Sequence, residues 1–182
     1  MLRLISLYFT DRGLWAAVRT ISDCGRALGD LALKPGDAQR FFRPRLERLS
    51  GAAAGGRAGP ALAAAEDFAA RLQKFFMDLE LQRTAATPEL GQALAYLQAA
   101  CPLAGELTSP RRRAAALEKL RGLSAAAAAV LRRAKTAAQA RPDNFPQNLK
   151  FSSMYSDLEA VFDAFERCAV SLYDPGPDKE PV

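Results

Sequence analysis

Three consecutive arginines, Arg111, Arg112 and Arg113, follow the pair Ser109-Pro110. Serine then proline reads as a helix start, with the hydroxyl as cap and the proline as first helical residue. Guanidinium groups in a first helical turn run against the helix dipole, whose N-terminal end is already positive. The chemistry such a placement serves is anion capture. Backbone N–H groups, the dipole and three guanidinium groups would converge on one phosphate, carboxylate or sulfate. Ser109, followed by proline, is also a candidate for phosphorylation, and its phosphate would fold back onto the same arginines. The competing reading is plain. Exposed charges at a helix start cost only about tenths of a kcal/mol, which solvent carries.

A second group is apolar. Leu4, Ile5, Leu7, Tyr8, Phe9 and Trp15 supply more hydrophobic surface than one stripe of a bundle helix needs. Either neighbouring helices wrap this end, or part of it docks a partner chain, a second copy or a membrane surface.

Other chemistries lack their residues. The chain has no histidine, which removes the commonest general base, proton shuttle and zinc ligand. Cys24, Cys101 and Cys168 lie far apart in the sequence and have no metal-ligand spacing, so they read as reduced core thiols. The glycines between Gly51 and Gly59 come without the lysine and hydroxyl residue of a phosphate loop. The acid pair Glu66-Asp67 points two ways on a helix. The expectation is a protein that is not an enzyme and that carries neither metal nor cofactor.

The elements that must place these residues are helical. There are 37 alanines and 25 leucines against five valines and two isoleucines, and alanine and leucine are strong helix formers while β-branched residues fill sheets. The fold class expected is all-α: a single-domain bundle of five to six helices in up-down packing over residues 1–173, with a disordered tail over 174–182. Hydrophobic periodicity predicts helices over residues 2–33, 38–49, 60–84, 88–101, 110–140 and 153–173. Residues 50–59 read as a flexible Gly/Ala loop. Residues 142–152 read as an ordered surface loop anchored by Phe145, Leu149 and Phe151. The expected core is Leu14, Val18, Ile21, Phe68, Leu72, Phe76, Leu117, Leu120, Phe162 and Phe165.

The formal net charge of +5 is unevenly spread. The first 59 residues and residues 102–150 are basic, whereas the last helix and tail are acidic. Either the acidic last helix packs beside the basic fifth helix and neutralises it, or the basic segments meet an anionic partner. Nucleic acid is the weaker partner, because the arginines are not interleaved with aromatics and no nucleic-acid-binding signature occurs. The function expected is a helical interaction module, an adaptor or subunit of a larger assembly. Its partner would be another protein or a second copy of itself. The alternative is a peripheral membrane-binding protein contacting anionic headgroups. Without a spanning or secretory segment, a cytoplasmic location is expected.

Overall fold

The computed structural model describes residues 11–33, 59–81, 87–140 and 144–173. The described residues form helix α1 (Arg12–Leu33), α2 (Pro60–Leu81), α3 (Pro88–Ala100), a 3₁₀ turn (Cys101–Leu103), the one-turn α4 (Ala104–Leu107), α5 (Arg113–Gln139) and α6 (Phe145–Tyr173). No strand occurs among them, so the fold is an all-α bundle. None of these helices is long and apolar enough to cross a membrane.

Local chemistry sets the helix ends. Asp11 caps α1: its carboxylate accepts the Leu14 N–H at 3.0 Å and its carbonyl the Trp15 N–H at 3.0 Å. The earlier part of the expected first helix lies outside the described residues. So do the expected helix over 38–49, nearly all of the glycine-rich loop and the tail. Thr87 caps α3 by accepting the Leu90 N–H at 3.3 Å, with Pro88 next in line as expected. Pro102 ends α3 only in part: the chain tightens into the 3₁₀ turn and runs on into α4, which the sequence reading lacks.

Two expectations are corrected. α5 begins at Arg113 rather than at Pro110, with residues 110–112 in a turn. Residues 145–152 are the first two turns of α6 instead of a loop. Pro146 occupies the second helical residue, where the missing N–H has no helical acceptor anyway. Phe145 and Leu149 therefore anchor nothing and stand 73% and 60% exposed.

One core runs through all the described helices. The expected stripe of α2 (Phe68, Leu72, Phe75, Phe76 and Leu79 among it) is buried, and so is that of α6 from Met154 to Leu172. Phe68 and Phe165 meet with ring centroids 5.1 Å apart. Of the expected core only Leu14 and Leu117 are half-buried; they pack on its edge. α6 runs antiparallel to α2: Arg167 bonds Asp67 near one end, while Tyr155 bonds Thr87, just beyond the other end of α2. α6 also runs antiparallel to α5, with Lys135 on Glu159 at 2.8 Å and Arg113 over the Tyr173 ring.

Candidate functional site

Helix α1 buries Ala17, Val18, Ile21, Cys24 and Leu28 against the core. Beside that face, Trp15, Arg19, Ser22 and Arg26 recur at four-, three- and four-residue steps and so share one stripe about three turns long. Gln98 at the end of α3 and Cys101 and Pro102 of the 3₁₀ turn stand opposite. Between them lies a groove of about 610 Å³, within the ordinary size range of ligand pockets.

Glycine makes the groove's floor. An added Cβ on Gly25 would sit 2.6 Å from the Cys101 Cβ, and one on Gly29 would sit 2.8 Å from the Gln98 amide nitrogen. At Gly25 only a residue without a side chain lets α1 approach the turn at Cys101 this closely, whereas at Gly29 the Gln98 side chain could swing aside. Trp15 is half-buried, and the Arg19 guanidinium lies over its ring at 5.0 Å, a cation–π contact. Arg26 pairs with Asp23 on the same helix and remains 72% exposed. The groove thus has an apolar floor and two cations on its rim. The Cys101 thiol at its wall is fully buried. Burial pushes it well above 9.0, and neighbouring Cys24 and Cys168 act in the same direction, so it is a protonated wall group.

The structure gathers only part of what the sequence nominates. Trp15 lies in the groove, whereas its nominated companions Leu4, Ile5, Leu7, Tyr8 and Phe9 lie outside the described residues. Arg111 and Arg112 are exposed in the turn before α5 and Arg113 opens the helix. The N–H groups of Arg112 and Arg113 are both taken by the Ser109 carbonyl at 2.9 Å, so these two do not converge on an external anion. The Arg113 guanidinium lies 5.1 Å from the Tyr173 ring centroid. Ser109 is only 8% exposed, which withdraws it from a modifying enzyme.

Sequence reasoning missed Arg19, Ser22, Arg26 and Gln98 as groove residues. The usable signal was Gly25-x-x-x-Gly29 beside a tryptophan and two arginines at helical spacing.

α5 and α6 do pack together, and a salt bridge between Lys135 and Glu159 joins their charges at 2.8 Å. Arg167 of α6 pairs instead with Asp67 of α2 at 3.0 Å. Partial burial opposes ionisation of Asp67. Hydrogen bonds from Arg71 and Arg167, reinforced by both charges, still hold its carboxyl below 3.8. Along the face of α6 that borders α5, Glu159, Asp163, Glu166 and Val170 repeat the four-three-four spacing of the α1 stripe, and the three acids line a small crevice with Ser124, Ala128 and Leu131 of α5. Asp163 and Glu166 are exposed, and Val170 is 56% exposed. No group of three His, Cys, Asp or Glu side chains among the described residues could hold a metal ion.

The expectation that the chain is not an enzyme is withdrawn. It rested on missing histidine and missing motifs, yet the groove surrounds a ligand-sized space with hydroxyl, amide and guanidinium groups. Missing motifs do not exclude chemistry from such a space. No protein-family model, curated protein or solved structure matches the chain, so the groove is read from its own residues.

Proposed function

We propose that the chain is a helical interaction module that takes an acidic helical segment of another chain into the groove between α1 and the end of α3. The observation that carries this reading is the half-buried Trp15 in line with the exposed Arg19 and Arg26 on one stripe beside an apolar floor. Tryptophan and arginine are the residues most enriched where binding energy concentrates. A helix laid in a groove recognises its host through side chains at three- and four-residue steps, which is the spacing that the α1 stripe offers. The rim charges favour carboxylates and reject a basic segment.

A photo-crosslinking residue at Ser22 tests this in the native cell. The expected result is a discrete protein adduct that disappears when Arg19 and Arg26 are both changed to glutamate, with helicity unchanged. An absent adduct, or one indifferent to charge reversal, overturns the reading.

A further inference from the structure

The interaction reading supplies a groove, and the same chain carries a helix that fits it. The α1 stripe is Trp15, Arg19, Ser22 and Arg26. The matching stripe of α6, along its border with α5, is Glu159, Asp163, Glu166 and Val170. Both follow steps of four, three and four residues, so each spans about 16 Å of helix. That pattern reads the same in both directions, so the stripes match position for position in either sense, and the antiparallel sense is the one that sets a carboxylate opposite each arginine and an apolar residue opposite Trp15. Trp15 then faces Val170, Arg19 faces Glu166, Ser22 faces Asp163 and Arg26 faces Glu159.

We infer that α6 of a second copy of this chain occupies the α1 groove, through an antiparallel pairing of these two stripes. The inference rests on the reading of the groove as a helix-docking site. It accounts for features left over from the single chain. Val170 is a large apolar residue 56% exposed on an otherwise charged face, and Trp15 offers it a half-buried apolar partner. Asp163 and Glu166 are exposed carboxylates within one helical turn of each other, and the Arg19 guanidinium opposite Glu166 relieves their mutual repulsion while the Ser22 hydroxyl can donate to Asp163. Glu159 keeps Lys135 at 2.8 Å, and a carboxylate can accept from both that ammonium and an arginine. Arg26 likewise has donors to spare beyond its bond to Asp23. Elsewhere, Asp67 is committed to Arg71 and Arg167, and Asp78 lies 3.6 Å from Lys74.

The contact is heterologous, joining the groove of one copy to the stripe of the next. It closes into a dimer where both copies exchange helices, and otherwise propagates.

The test is a charge swap read by sedimentation of the purified full chain over a concentration series. The wild-type chain is expected to associate, and Trp15, its one tryptophan, to shift its emission to the blue in parallel. Arg19→Glu alone and Glu166→Lys alone should each weaken association by roughly tenfold or more through like-charge apposition. Mixing the two variants, or combining them in one chain, should restore it, because carboxylate again faces cation. Val170→Asp should weaken association without loss of helicity. A wild-type chain that stays monomeric throughout, reversals without effect, or a mixture that does not recover each overturns the inference. If Ser22 still forms a charge-dependent adduct with a different protein while the purified chain stays monomeric, the docking groove survives and the second copy does not. If both fail, the groove reading falls with it.

Discussion

Burial decides the behaviour of the three thiols. Cys24, Cys101 and Cys168 are all free and buried, and burial pushes Cys168 from 9.0 to about 12. A group whose pKa is raised by folding contributes stability that is full below its unfolded value and lost as pH rises through its folded value. Denaturant unfolding should therefore show stability falling from about pH 9 toward pH 12. Replacing Cys168 with alanine should flatten that fall. A thiol reagent at neutral pH should leave the folded chain unlabelled and modify it only on unfolding. Asp67 runs the opposite way: its lowered carboxyl contributes stability that is lost as pH drops through its folded value, below 3.8. Because that carboxylate is 42% exposed, Asp67→Asn should cost no more than about 1 kcal/mol. The Ser124 hydroxyl is buried with no hydrogen-bond partner among the described residues, so Ser124→Ala should leave thermal stability unchanged or raise it by up to about 1 kcal/mol.

The close crossing of α1 over the end of α3 is the most sequence-sensitive joint between elements. Gly25→Ala places a methyl 2.6 Å from the Cys101 Cβ, which is carried by backbone and cannot swing aside. The expected loss is about 1–3 kcal/mol of stability. In a Cys101→Gly background the same substitution should cost measurably less, and a double-mutant cycle of melting temperatures reads the difference. Helices whose apolar residues keep one period are legible in the sequence. The α2 stripe from Ala65 to Leu79 and the α6 stripe from Met154 to Leu172 are buried as their spacing requires, and Thr87-Pro88 marks α3 to the residue. The start of α6 was illegible because Pro142 and Pro146 punctuate a segment rich in asparagine and glutamine, which reads as loop. Helix position, not composition, decides whether Pro146 is tolerated. The α5 start was misread for a related reason. Ser109-Pro110 has the composition of a cap, but Ser109 is spent on the turn that precedes the helix. The groove was illegible because half of it comes from Gln98, Cys101 and Pro102, which reach α1 only through the fold. On α1 itself, arginines opposite an apolar stripe look like a solvated face.

At the scale of the molecule, a single core joins every described helix, and its largest fully buried rings are Phe68 and Phe165. Phe165→Ala should cost about 3–5 kcal/mol, since it empties a site with no exposed edge to relax into. Circular dichroism and Trp15 emission should report one coincident unfolding transition, because α1 shares its core with the other helices. Separate transitions would mean that α1 melts on its own. The groove also divides its properties between two parts of the chain. Its depth comes from backbone, through Gly25 against the turn at Cys101, while its sign comes from Arg19 and Arg26, whose charged ends are exposed and take no part in that crossing. Depth and sign can therefore vary separately. Substitutions at residues 19 and 26 would re-address the groove to a cationic helix and leave the crossing beneath it intact, which makes α1 a strip on which new pairing preferences can be written without refolding the protein.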